Sequence, residues 1–401
     1  MNLAILHYST RPEVGGVQNV IRDQAHLLGA MGHDVTVLTG LGDEPGKGCE
    51  VRIVPELAPG FPLNMANRAV LERGQGDINF NKYRAVLVQA IGSALAGMDL
   101  TLVHNVFTVQ SNLVLTMALH DLSSKHRMVA WTHDLAATNT DNALPNPTKP
   151  PWSLMRTSSP NVSYVAISEF RAAEIKATLK PLVQPFVVPN IVDSARVFGL
   201  TPEMRESLVS LELAGRDFIF LLPAQVMLRK NIEFAVEAVK RLRESGRNPL
   251  LLVTATPLPN NDTSARYREF LHQSLPKELL SHVVFVSDFF PISDETLRDL
   301  YLLADCVIFP SKQEGFGLPV VEAAYYRLPV WCTNVPSFAA LEGENAFLFD
   351  DLAKLPEALA WLEAQPAFRA QRKARKLFDP EKIYNQYYVP LLRASVPEKS
   401  L

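Results

Sequence analysis

Cysteine is scarce in this sequence. The 401-residue chain carries three, Cys49, Cys306 and Cys332. They are too few and too scattered for a disulfide framework, and none stands at C-x-x-C spacing for a metal. Cys306 and Cys332 lie in apolar runs and read as small buried hydrophobes, which fits a reducing, cytoplasmic compartment. An excess of charge of one sign is also lacking. Lys and Arg number 39 against 42 Asp and Glu, a net charge of −3, so there is no global basic footprint for nucleic acid. Long hydrophobic runs are missing too. FIFLLPAQVML (residues 218–228) falls short of the ~18 residues that a membrane-spanning helix needs. The first residues, MNLAILHYST, have neither the basic segment nor the cleavage site of a signal peptide. A soluble protein follows, with peripheral membrane contact left open. No G-x-G-x-x-G succeeds the apolar runs at 3–8 or 218–223, which argues against a dinucleotide oxidoreductase.

What is present is an ordinary globular balance, 47% apolar and 20% charged, in a chain long enough for two domains. LAILHY (3–8) reads as a buried strand. Apolar positions at helical spacing follow from Val17 to Met31, and DVTVLTG (34–40) is the next strand. Strand, helix and strand in succession make a βαβ unit and imply a parallel sheet. The rhythm continues at 101–106, 128–134, 163–168 and 186–190, interrupted by a polar stretch at 139–159 that reads as a long surface loop. It restarts at 218–223 and runs through 249–256, 282–287, 305–310 and 329–333. The junction falls near 191–201, and a last helix spans about 380–394.

The most informative stretch is PSKQEGFGLPVVEAAYYRLPV (310–330). A strand precedes it and a helix follows, with Pro319 expected at the first helical position, where a missing N–H costs nothing. The loop therefore lies at the carboxyl end of a parallel strand, the edge at which open α/β sheets bind ligands. Gly315 and Gly317 let the backbone approach a ligand. The free N–H groups of the helix start suit an anion. Glu314 and Glu322 make poor phosphate ligands but good acceptors for sugar hydroxyls. A phosphate flanked by hydroxyl groups describes a nucleotide sugar.

EGFGLPVVE, continued by AAYYRLPVWCT, resembles the Glu-x7-Glu signature of retaining glycosyltransferases of family 4 (glycosyl transferases group 1). The resemblance extends over nearly the whole chain. It implies the GT-B architecture: α/β, two facing Rossmann-like domains with parallel sheets and an interdomain cleft. The domains would be 1–192, completed by a C-terminal helix at 380–401, on the acceptor side, and 193–379 on the nucleotide-sugar side. In such enzymes the second glutamate, here Glu322, holds the donor ribose. The first, here Glu314, lies by the sugar ring, and Gly315, Phe316, Gly317 and Leu318 contact sugar and phosphate. STRPEVGGVQNV resembles the family's N-terminal glycine loop, which implies that Gly15 and Gly16 approach the diphosphate and acceptor. WTHDL places His133 at a strand end, where the family has a histidine close to the donor sugar; His104 alone is read as sharing that setting.

LLPAQVMLRKNIEFA resembles the phosphate-binding stretch. Lys230 fits the family's lysine, but Gln225 stands where arginine is usual, so one counter-charge to the leaving diphosphate is lost. Arg229 is adjacent and its direction is open. Ile191 departs from the glycine of the family's VPNGVD segment. Ser287–Phe289 fall where the base is bound. The chain has no Asp-x-Asp, the metal-carrying motif of the other major glycosyltransferase architecture, so the resemblance implies no metal and no cofactor beyond a UDP-, GDP- or ADP-hexose donor. The acceptor, a sugar, lipid or small molecule, would meet residues 60–82 and 139–159. The function implied is retaining hexosyl transfer to a hydroxyl, with His133, Glu314 and Lys230 as the catalytic set. Two rivals keep the fold: a sugar phosphorylase or epimerase, and a non-catalytic nucleotide-sugar binder, the latter motivated by Gln225.

Overall fold

The computed structural model describes residues 1–396 apart from 13–14, 44–47, 76–79, 140–143, 257, 259–260 and 336–345, and of 207–210 the backbone alone. Parts of the first glycine loop and of both presumed acceptor segments thus lie outside the described residues. The chain divides into two compact units: Met1–Asp193 with Phe378–Leu401, and Ser194–Leu377.

Unit 1 is built on β1 (Asn2–His7), β2 (Asp34–Thr39), β3 (Glu50–Ile53), β4 (Leu100–His104), β5 (Met128–Thr132), β6 (Val162–Ala166) and β7 (Phe186–Val187). They form one sheet in the order β3-β2-β1-β4-β5-β6-β7, parallel throughout. Side chains alternate across a strand. Leu3 and Ile5 therefore pack on one face with Ile21 and Leu28, while Ala4 and Leu6 pack on the other with Val103 and Leu115. Burial on both faces is why these strands read as continuous apolar runs.

Unit 2 repeats the plan with β8 (Phe218–Leu222), β9 (Pro249–Val253), β10 (Val283–Phe285), β11 (Cys306–Phe309), β12 (Val330–Cys332) and β13 (Ala346–Leu348). Their order is β10-β9-β8-β11-β12-β13, again parallel. Phe218, Phe220 and Leu222 face one layer; Ile219 and Leu221 face the other. Each sheet thus winds outward from its first strand in both directions. The order reverses beside β1 and β4 in unit 1 and beside β8 and β11 in unit 2, the switch points where such sheets bind ligands. The α/β class with two Rossmann-like parallel sheets is as the sequence implied.

Several elements differ from the sequence reading. The stretch at 139–159 is not only surface loop: Trp152–Arg156 form a 3₁₀ helix whose Trp152 and Met155 enter the core, because the two apolar side chains gain more from burial than the surrounding polar residues lose. Pro319 is the second residue of the Leu318–Tyr325 helix, not the first. The last helix is not uniform. It runs Pro380–Ile383, widens to a π turn at Tyr384–Tyr388, and resumes at Val389–Ser395. Pro390 has no N–H to offer the carbonyl four residues back, which loosens that turn. Ile383, Tyr388, Leu391 and Leu392 from this segment pack with Leu3, Ile5 and Ile21. Among the described residues no helix is long and apolar enough to cross a membrane.

Candidate active site

In unit 2 the loops after β8 and β11 meet at the switch point. Lys312 N–H donates to the Arg229 carbonyl (2.7 Å), and Asn231 Nδ2 donates to the Pro310 carbonyl (3.2 Å). Asn231 takes φ 55°, a left-handed conformation that asparagine tolerates better than most residues. The pinned loops bring Lys230, Arg229 and Glu314 together. Lys230 Nζ donates to Glu314 Oε1, and Arg229 Nη1 reaches the same oxygen at 3.1 Å and the Gln313 carbonyl at 3.0 Å. The Lys230 ammonium also lies 4.7 Å from the centre of the Phe309 ring, a cation–π contact that helps hold it. Burial alone would push the Glu314 carboxyl up. The Lys230 hydrogen bond and the neighbouring positive charges outweigh it and hold the carboxyl below its usual range.

Lys230 is buried and engaged by Glu314, a pairing that the sequence did not show. The direction of Arg229, which the sequence left open, is toward that same carboxylate. The cluster of two cations and one carboxylate keeps a net charge of about +1. Gln225 is exposed and sits on a backbone bridge to Thr256.

Gly317 caps the next helix at φ 90°, where a side chain would be strained. Gly315 is different. Its φ is unexceptional, and a Cβ built on it meets no described protein atom within 4 Å. Neither backbone nor packing requires glycine there, and the space beyond it is open. Phe316 and Leu318 beside it are exposed. Glu322, one turn into the helix, accepts from the Tyr301 hydroxyl at 2.7 Å. Burial first, and then this carboxylate, push the Tyr301 phenol far above its ordinary value. In the expected base region Ser287 Oγ is tied to the Ala255 carbonyl (3.0 Å), and Phe289 is 73% exposed.

In unit 1 the ends of β4 and β5 are tied by Asn105, itself at φ 60°. Its Oδ1 accepts from the backbone N–H of His133 (2.9 Å) and of Asp134 (3.1 Å). His133 is 6% exposed, and its Nε2 lies 2.9 Å from His104 Nδ1. Burial lowers the His133 imidazole from 6.5 to about 4, against the opposing pull of Asp134. It takes His104 further down. The reading that only His104 shares a strand-end setting was too narrow: His7 ends β1. It also lines a cavity of about 340 Å³ that Gly16 borders. A second cavity of about 620 Å³ shares Asn64 and Arg68 with the first. Its further polar lining includes Asn67, Gln110, Asn112 and Asn139. Like Gly315, Gly16 has nothing within 4 Å of an added Cβ. Gly15 is extended at φ −161°, and a Cβ there would displace only the Gln18 side chain. Gln24 on the Gly16–Ala30 helix, which the sequence did not single out, reaches His104 Nε2 (2.9 Å).

Residues 203–376 match the family model for glycosyl transferases group 1. That match lies within unit 2 and covers less than half of the chain. A stretch of 76 residues, 18% of this chain, is 43% identical to the serotype-specific mannosyltransferase WbdA of Escherichia coli. It spans only 9% of the length of WbdA. The alpha-1,3/1,6-mannosyltransferase ALG2 of Homo sapiens is 24% identical over 397 residues, covering 94% of this chain and 92% of its own. Among solved structures, sucrose-phosphate synthase of Thermosynechococcus elongatus overlaps 98% of this chain and 100% of its own. The identity is 18% and the TM-score 0.39.

Proposed function

We propose that this protein is a retaining glycosyltransferase that moves a hexose, most simply mannose, from a nucleoside-diphosphate sugar to an acceptor hydroxyl without a metal ion. The observation that carries the reading is the Lys230–Glu314–Arg229 cluster beside the open backbone of Gly315 at the switch point of unit 2. The family match over 203–376 supports transfer of a glycosyl group, and the mannosyltransferase relatives favour mannose.

In this scheme the cluster receives the diphosphate. Lys230 has three N–H bonds and can donate to a phosphate oxygen while keeping Glu314. Arg229 supplies the second cation that Gln225 does not. The N-terminus of the Leu318–Tyr325 helix adds its dipole, and Glu322 takes the ribose hydroxyls. The acceptor oxygen attacks the anomeric carbon on the face that the leaving phosphate vacates. The C–O bond to phosphate breaks, and the acceptor's proton passes to the departing phosphate oxygen. Catalysis rests on positioning and on electrostatic stabilisation of the diphosphate. The amide-rich cavities of unit 1 suit an uncharged polyhydroxyl acceptor, since the guanidinium of Arg68 is already held by Glu72 (2.7 Å).

A thermal-shift series with GDP-, UDP- and ADP-sugars tests the donor. A ligand at 100 times its Kd should add about 2.7 kcal/mol of stability, and GDP-mannose should give the largest shift. No shift with any nucleotide sugar would sink the reading. Turnover should survive EDTA treatment; loss of activity that Mg²⁺ or Mn²⁺ restores would refute metal independence. Tight donor binding with no nucleoside diphosphate released on any acceptor would point instead to a binding protein.

A further inference from the structure

His133 does not end at His104. The buried contacts continue from His104 Nε2 to Gln24 Oε1 (2.9 Å) and from Gln24 Nε2 to the Tyr388 hydroxyl (2.8 Å). The chain links the end of β5, the end of β4, the Gly16–Ala30 helix and the π turn of the C-terminal segment, all within unit 1. Its members are all less than 10% exposed.

The polarity of this chain can be read link by link. Gln24 donates through Nε2 to Tyr388, so its Oε1 faces His104. A carboxamide oxygen only accepts, so His104 Nε2 carries a proton. His104 is fully buried, and burial keeps it neutral. A neutral imidazole has one N–H, so His104 Nδ1 holds a bare lone pair. The 2.9 Å contact to His133 therefore needs a proton on His133 Nε2. His133 is neutral as well. Its Nδ1 is then the lone pair left over, and no described group hydrogen-bonds to it.

We infer that Tyr388, Gln24 and His104 form a positioning relay that fixes His133 in the Nε2–H tautomer and leaves Nδ1 as a hydrogen-bond acceptor for a substrate hydroxyl. This rests on the transferase reading for the identity of the hydroxyl, which belongs to a sugar. The tautomer itself rests on the hydrogen-bond geometry and on the burial of the two rings, independently of that reading. Tyr388 is delivered by the widened turn that also aligns Tyr384, whose hydroxyl lies 2.8 Å from His33 Nε2. The turn therefore sets the far end of the relay rather than merely closing a helix, in keeping with the frequent placement of such turns at functional sites.

The test is a ¹⁵N-histidine spectrum of the full chain that reads the protonation of each imidazole nitrogen, with His133 assigned by its disappearance in His133→Ala. Nε2–H with bare Nδ1 is expected. Tyr388→Phe keeps the ring and removes the hydroxyl, so the amide of Gln24 loses its orienting partner and the His133 signal should show both tautomers. With GDP-mannose and an oligosaccharide acceptor, kcat should fall about threefold to tenfold, the scale of one buried hydrogen bond, with donor KM little changed. His104→Phe should fall further in the same direction. An unmodified chain that shows Nδ1–H at His133 would overturn the relay. So would a Tyr388→Phe variant, folded by its thermal transition, with an unchanged spectrum and unchanged kcat. Absence of turnover in the unmodified chain would count against the transferase reading, and the spectrum would still decide the relay.

Discussion

The two units share one topology and place their polar residues at the same point of it, yet they treat charge in opposite ways. At the switch point of unit 2, Lys230 and Arg229 both contact Glu314 and hold its carboxyl below the usual range despite burial. Across β1, β4 and β5 of unit 1, His104 and His133 are kept neutral by burial. In the first, hydrogen bonds from cations outweigh the burial of a carboxylate; in the second, burial outweighs the pull of Asp134 on His133. The same topology thus carries an ionic cluster in one unit and a neutral polar chain in the other.

The sharpest way to break this contrast is Lys230→Ala. Removing one preorganised group that stabilises developing charge costs about 10²–10³ in turnover, and kcat should fall more than donor affinity, because the contact strengthens as the glycosidic bond breaks. Steady-state kinetics check this. A near-silent Lys230→Ala, or an Arg229→Ala that is worse, would move the principal cation to the neighbouring side chain.

The second effect is on acid stability. The folded-state pKa of His133 is depressed from 6.5 to about 4. Its contribution is complete above pH 6.5 and is lost as pH falls through that window toward 4, because the unfolded chain takes up the proton first. The loss at His133 is about 3 kcal/mol at most. Glu314 is also depressed, so its contribution too is lost on acidification, but only below the ordinary carboxylate value of 4.5. Urea unfolding from pH 7.5 to 4 should show the loss at His133 together with that at His104, which burial depresses further, and His133→Asn should make the slope shallower without removing it. An unchanged slope in that variant would show that the neutral imidazole is not what distinguishes unit 1.

Glu322→Ala should weaken nucleoside-diphosphate binding by about 1.5–3 kcal/mol, the scale of a hydrogen bond to a charged group. Glu314→Gln should instead retain or tighten that binding, since it releases two cations, while sugar transfer falls. Calorimetry with the free nucleotide separates them; equal losses would refute the division of roles. The smallest change belongs to Gln225→Arg. The side chain is exposed, so added charge should alter donor affinity by less than about fivefold. A larger loss would mean that the position is needed uncharged.

Unit 2 was the more legible half. Its site is carried by one contiguous loop, EGFGLPVVE, and one short run, LRKN, so the residues announce themselves by spacing. What the sequence hid was the pairing between them. Lys230 and Glu314 are 84 residues apart and meet only because β8 and β11 are neighbours in the sheet. In unit 1 the strands were readable from their apolar runs, including the one at 186–190 that shortens to the 2-residue β7, but the 4-residue β3, with no buried residue, was not. The relay was not readable at all. Gln24 and Tyr388 stand 364 positions apart, and although Gln24 recurs at helical spacing with the apolar residues Ile21 and Leu28, that position names no partner. A signal existed only for His133 and His104, each at the end of an apolar strand.

The return of the C-terminal segment has a consequence for how the protein is made. Ile383, Tyr388, Leu391 and Leu392 cover the same layer as Leu3, Ile5 and Ile21. On the ribosome, unit 2 has all of its own strands before residues 383–392 emerge, whereas unit 1, synthesised first, waits with that layer uncovered. The early half of the chain is therefore the late half to finish. During the interval its exposed apolar face is the surface that a chaperone would meet, or through which nascent chains would stick together.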